Sequence, residues 1–287
     1  MADKFAVFIL THGRPHRVIT YNTLRRQGYT GDIYIVVDNE DATIDEYRAL
    51  YGDKVIVFDK LAISKTFDTG DNFNDRRAVI YARNACWEIA WGLGLDYFLQ
   101  LDDDYSSWWY KFDGELRYSF RSTQRLDDLF SIALEFYRAI PALSIAFAQG
   151  GDTPGGEKCT NLKTIRTKRK VMNSFFCDVS RPFQFFGRIN EDVNTYVAAG
   201  NRGALFLSFF NAILTQETTQ RAPGGMTELY LDSGTYIKSF YTVMYAPSCT
   251  TVYQTQNSAH GRLHHLINWP CAVPCILSEE WRKPEVA

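Results

Sequence analysis

The chain has 287 residues, 46% hydrophobic and 15% aromatic, enough for a substantial buried core and too apolar for an intrinsically disordered protein. A formal net charge of −2 removes any global attraction to a polyanion, so contact with nucleic acid would have to come from a local basic patch. The N-terminal MADKFAVFILTHGR holds an apolar run of only about six residues, short of a signal-peptide core or a membrane span, so the expected setting is the cytoplasm without membrane contact.

In chain order, FAVFIL (5–10), DIYIVVD (32–38), KVIVFD (54–59) and DYFLQLD (96–102) are short, continuous apolar runs, as expected of strands covered on both faces. Between them, Arg14 to Gln27 reads as a helix beginning near Pro15, and Asp75 to Leu93 as a long amphipathic helix. This alternation implies a doubly wound α/β sheet, in which ligands bind beyond the carboxyl ends of the strands. Thr11-His12-Gly13-Arg14, Asp38-Asn39 and Asp102-Asp103-Asp104 should therefore converge on one crevice. Further along come a helix at Leu126–Ala139, the apolar ALSIAFAQGG (142–151) and VMNSFFCDV (171–179), and a helix from about Thr227 to Ser239. The six cysteines are scattered, which fits reduced thiols. There is no internal repeat and no clear linker, so residues 1–287 read as one domain.

Three consecutive carboxylates at the end of a core strand repel one another unless a positive charge relieves them. Alternate side chains, Asp102 and Asp104, can reach one Mg²⁺ or Mn²⁺ whose other positions are taken by diphosphate oxygens and water. The same tripeptide also suits a helix cap or a solvated turn.

The order of ILTHGRP (9–15), VVDNED (36–41), RRAVIYARNACWEIAWGLGLDYFLQLDDD (76–104) and GRINEDVNTY (187–196) resembles the GT-A glycosyltransferases. More narrowly, LDDDYSSW, the FFGRINEDVNTYVAAGNRG block and the histidine-bearing tail resemble the phage TET-associated glycosyltransferases, which add sugars to 5-hydroxymethylpyrimidines in DNA. The resemblance implies a Rossmann-like GT-A fold: a mixed, mostly parallel sheet flanked by helices, with an irregular C-terminal tail closing the site. It also implies a UDP-sugar donor such as UDP-glucose or UDP-N-acetylglucosamine, a divalent ion (Mn²⁺ or Mg²⁺), and a hydroxymethylated base, such as 5-hydroxymethylcytosine in phage DNA, as acceptor. Residues 1–105 would form the nucleotide-sugar half and 106–287 the acceptor half and tail, in the cytoplasm of an infected host.

On this pattern Thr11, His12, Gly13, Arg14 and Asp38 hold the donor nucleotide, with Asp102 and Asp103 beside the diphosphate and Lys65 as a further donor contact. Arg77 and Arg83, six apart on one helix, would differ in direction by about 240° and cannot both face the site. Arg83, next to Asn84, matches the family's Arg-Asn position, where a guanidinium could hold the aspartates or the diphosphate. Transfer to a hydroxyl needs a carboxylate to take the acceptor proton. Asn190-Glu191-Asp192 opens a helix whose N-terminus favours ionised acids, with Asp192 as base and Glu191 hydrogen-bonding a substrate. Direct attack by the acceptor hydroxyl inverts the anomeric carbon. A tail histidine is the family's third metal ligand, here His260 or His264, close to His265.

Lys158, Lys163, Arg166, Lys168, Arg169 and Lys170 place six cations in thirteen positions, a patch suited to phosphates or simply a solvated face. Lying between the acidic strand and the base, Lys163, Arg166, Lys168, Arg169 and Lys170 are the expected DNA contacts. Trp108, Trp109 and Tyr110 could stack on sugar or base, or fill the core. The Gly-rich loop Gln149-Gly150-Gly151-Asp152 resembles the place where GT-A enzymes contact the donor sugar, and its glycines equally suit an ordinary turn. Two rival readings are a GT-A enzyme acting on protein or polysaccharide and a catalytically inactive DNA-binding module. A nucleotidyltransferase ranks below them, since no Gly-rich phosphate loop with Lys is present.

Overall fold

The apolar runs assemble into one sheet in a computed structural model that describes residues 3–115, 117–149, 174–216, 236–255 and 262–272. Its strands are β1 (Phe5–Leu10), β2 (Asp32–Asp38), β3 (Val55–Phe58), β4 (Tyr97–Asp102), β5 (Tyr105–Phe112), β6 (Tyr118–Ser122), β7 (Ala142–Gln149), β8 (Ser174–Asp178) and β9 (Leu205–Gln216), in the order β3-β2-β1-β4-β8-β7-β9-β5-β6. The pairing makes β8 and β5 the two strands that run against the rest, so the sheet is mixed and mostly parallel, as expected. A separate hairpin, β10 (Thr250–Thr255) and β11 (Arg262–Ile267), belongs to the tail.

Helices cover both faces: α1 (Ile19–Arg26), α2 (Ile44–Tyr51), α3 (Lys60–Ser64), α4 (Ile80–Gly92), α5 (Leu126–Arg138), α6 (Glu191–Asn201), α7 (Tyr236–Tyr245) and α8 (Trp269–Ala272). Alternation within each strand divides the core into two layers. Val7, Ile9, Ile33, Ile35, Leu99 and Leu101 pack with Leu24, Tyr47, Phe130 and Tyr137 of α1, α2 and α5. Ala6, Phe8, Leu10, Val36 and Phe98 pack on the other side with Ile80, Ala85 and Cys86 of α4, Val193 and Val197 of α6, and Ile267 of the tail. Cys86, Cys177 and Cys249 are buried free thiols and Cys271 is an exposed one.

The long helix before the acids is shorter than expected. It begins at Ile80, because the Asp75 carboxylate accepts the Arg77 backbone N–H (2.9 Å) and also binds Arg188, holding residues 75–79 in a loop. Arg77 is thus not on the helix, and the angular comparison with Arg83 does not apply. Nor is α4 one-sided, since Arg83, Asn84, Ala85 and Cys86 are all buried. The helix at Arg14–Gln27 is broken into a 3₁₀ turn, Pro15–Arg17, and α1. The helix expected to end at Ser239 instead runs Tyr236–Tyr245, and residues 227–235 lie outside the described residues.

Candidate active site

β1, β2 and β4 are adjacent and parallel, with Leu10 level with Asp102, so their carboxyl ends open on one side of the sheet. The three polar clusters meet there. Thr11 Oγ1 donates to Asp103 (2.6 Å), Arg14 Nη2 pairs with the other Asp103 oxygen (3.1 Å), and His12 Nδ1 contacts Asp38 Oδ2 (2.8 Å). Gly13 takes φ +68°, and its N–H donates to Asp41 (2.7 Å), a left-handed turn that lets the chain bend across the end of β1. Asp38 also pairs with the buried Lys60 (3.3 Å). Burial pushes the Asp38 carboxyl up, but the His12 hydrogen bond and the Lys60 charge outweigh it and the net shift is down. The hydrogen bond to Asp38 raises His12 in turn.

The three aspartates divide their work. Asp102, at the last position of β4, accepts from Arg83 Nη2 (3.0 Å) and keeps a quarter of its side chain exposed. Asp103 turns inward, 2% exposed, and is spent on Thr11 and Arg14, which makes it a brace of the crevice. Asp104 Oδ1 is buried and has no hydrogen-bond partner. Burial, reinforced by the neighbouring charges, lifts Asp104 to about 7; burial lifts Asp103 to about 6 against the pull of Arg14. Asp102 is also raised by burial, with Arg83 opposing. Around this acidic turn, Arg83 Nη1 and Arg14 Nε are buried donors without a partner.

Arg83 joins the strand to the helix that carries the other acids. Its Nε donates to Glu191 Oε1 (3.0 Å) while Nη2 holds Asp102, and the guanidinium lies over the rings of Phe175 and Phe185. Burial opposes the charge, but Asp102 and Glu191 outweigh it and the guanidinium stays protonated. Glu191 and Asp192 occupy the first turn of α6, both buried, after Asn190 at φ +61°. A helix N-terminus was expected to favour their ionised forms. For Glu191 burial wins, and its carboxyl is raised despite Arg83.

Among the described residues no three His, Cys, Asp or Glu side chains gather as a metal cluster. His260 lies outside them. His264 sits on β11 opposite Tyr253, beside His265. It is His265 that reaches the acid-bearing helix, its Nδ1 3.1 Å from Asn190 Nδ2. Lys65 caps the end of α3 and is exposed. Trp108 is core, Tyr110 packs against the same layer, and Trp109 stacks on Phe120 across the hairpin (4.4 Å). Lys163, Arg166, Lys168, Arg169, Lys170 and the glycines at 150–151 also lie outside the described residues. The sequence reading missed Lys60, Asp41 and Arg188. Lys60 immediately follows the third strand and an Asp, which was the available signal; Arg188 had none beyond its place in GRINED.

The chain is similar to several solved structures at low identity. A mycobacterial protein aligns over 93% of this chain and 84% of its own, at 8% identity and a TM-score of 0.48. Glucosyl-3-phosphoglycerate synthase from Mycobacterium tuberculosis, in complex with Mn²⁺, UDP and phosphoglyceric acid, aligns over 93% and 87%, at 10% identity and a TM-score of 0.47. S. aureus TarS (residues 1–349) aligns over 84% and 65%, at 11% identity and a TM-score of 0.44. No curated protein matches the sequence. Residues 5–225, from β1 through the acid turn and the whole of α6 and β9, match the TET-associated glycosyltransferase family, and the chain belongs to that family.

Proposed function

We propose that the protein is a metal-dependent, inverting transferase that moves a hexose or N-acetylhexosamine from a UDP-sugar to the hydroxyl of a 5-hydroxymethylpyrimidine in DNA, with 5-hydroxymethylcytosine the expected base. The observation that carries the donor half is the set of unsatisfied polar atoms at the acid turn. An acceptor without a partner, Asp104 Oδ1, stands with two buried donors without partners, Arg83 Nη1 and Arg14 Nε. Buried polar atoms rarely stay unpaired, and this mixture fits a ligand carrying both signs: a divalent cation on a diphosphate. The hard oxygen donors of Asp102 and Asp104 fit Mn²⁺ or Mg²⁺ and would hold it, with His260 or His264 as the further ligand. Once bound, the ion would stabilise the charge that develops on UDP.

The chain's own residues would do the rest. Arg14 would meet the diphosphate as a fixed cation. His12, oriented by Asp38, which Lys60 holds in turn, would present its other ring nitrogen to the nucleotide. Asp192 would take the proton from the acceptor hydroxymethyl group as that oxygen attacks the anomeric carbon, while Glu191, held by Arg83, sets the position of the helix turn. A single displacement inverts the sugar. Lys163, Arg166, Lys168, Arg169 and Lys170 would carry the DNA phosphates. Support for DNA as acceptor comes from the family and from this basic run. The test is mass spectrometry of nucleosides from hydroxymethylated DNA incubated with UDP-glucose or UDP-N-acetylglucosamine and Mn²⁺. A glycosylated hydroxymethylpyrimidine is the expected product. Sugar transfer to a protein or glycan, with the DNA unchanged, would overturn the acceptor.

A further inference from the structure

Residues 66–79 cross from α3 to α4 as a loop pinned at many points. Arg188, 2% exposed, places Nε and Nη2 on Asp71 (both 2.9 Å) and Nη1 on Asp75 (3.1 Å). Tyr241 also donates to Asp71. The backbone N–H groups of Gly187 and Arg188 donate to the carbonyls of Asp68 (2.8 Å) and Thr69 (2.7 Å), and Arg76 grips Glu40 through Nε and Nη2 (2.9 and 2.6 Å). At the crown, between the two aspartates that share one guanidinium, Phe73 is 69% exposed and is followed by Asn74 at φ +56°.

A lone exposed apolar residue is ordinary. Phe73 differs in being the exposed ring at the crown of a loop whose two flanking aspartates are held by the buried Arg188, with Asn74 left-handed beside it. The loop is anchored to Arg188, on the chain segment that leads directly into Glu191 and Asp192. The loop that carries the ring is therefore tied, through Gly187 and Arg188, to the segment that carries the acid pair.

We propose that Phe73 is a stacking residue for the acceptor: its ring packs on a base displaced from the duplex stack, at or beside the hydroxymethylated nucleotide, and holds that nucleotide against the acid pair. The proposal rests on the DNA-acceptor reading above and adds a residue that reads an unstacked base without regard to its identity. An enzyme acting on a base gains reach when that base leaves the stack, and a phenyl face stacks on any of the four.

The test compares the full chain with F73A and F73W on hydroxymethylated duplex DNA, with 2-aminopurine beside the modified nucleotide as a reporter. Removing the stacking ring should lower kcat/KM for DNA by about tenfold or more in F73A. F73W should recover it, with the KM for UDP-sugar and the melting temperature unmoved. The 2-aminopurine fluorescence change seen with the native chain should be absent in F73A. If F73A matches the native chain on DNA, the role of Phe73 is overturned and the DNA acceptor stands. If the native chain glycosylates no hydroxymethylated DNA, both are overturned.

Discussion

Asp104 is a carboxyl whose surroundings do not suit its charge. Burial and two adjacent acids raise it to about 7 from an ordinary 3.8, so the folded, metal-free protein holds a proton that the unfolded chain has lost. The folded state binds more protons between those two values, so its stability falls as pH rises across that window and stays low above it. Asp103 and Glu191, also raised by burial, add to the same trend, so the melting temperature of metal-free protein should decline from about pH 4 to about pH 7, and D104N should make the decline shallower and melt higher at its alkaline end. An unchanged profile in D104N would show that Asp104 is not the source. Asp192 makes a separate prediction. D192N should cost about 10²- to 10⁴-fold in kcat while UDP affinity is retained, the range for loss of a general base. A parallel loss of UDP binding would move Asp192 to the donor side.

Arg83 links two elements that are far apart in the chain, β4 through Asp102 and α6 through Glu191. Removing one member of a buried charge network leaves the others unpaired, so R83M should destabilise the fold by about 3–5 kcal/mol, measured by urea unfolding. A small loss would mean that water replaces the guanidinium readily. Gly187 bears on the same helix. At φ +78° it approaches Asn194 and Tyr245 so closely that a Cβ would collide with both side chains. G187A should therefore shift the start of α6 and reduce transfer more than it reduces UDP affinity, a split that steady-state kinetics would detect. Elements of this kind were only partly legible. The apolar period of Leu126–Arg138 located α5 within one residue, because its buried and exposed faces are cleanly divided. The start of α4 was not legible, since it depends on where Asp75 finds Arg188, a partner more than a hundred residues away.

Across the whole molecule, the sequence carried the half built from strands that alternate with helices and run parallel. β1, β2, β3 and β4 pair in parallel around α-helical crossovers, and their polar ends converged as the topology requires. The second half pairs strands out of order, with β8 antiparallel beside β4 and β5 joined to β9, and no local periodicity encodes such partners. The inward turn of Asp103 was equally hidden, because it depends on Thr11 and Arg14 arriving from another strand. The basic run was legible as a patch, and its role can be read from salt. Replacing Lys168, Arg169 and Lys170 with alanine should weaken DNA binding and reduce the slope of log K against log salt by about 0.9 for each phosphate the chain no longer neutralises. An unchanged slope would remove the run from the interface. The most direct measurement is a calorimetric titration of UDP into the protein with and without Mn²⁺, in the native chain and in D104A. The expected result is UDP binding that requires Mn²⁺ and is abolished in D104A; UDP binding indifferent to both the ion and the carboxylate would contradict a metal–diphosphate site at the end of β4.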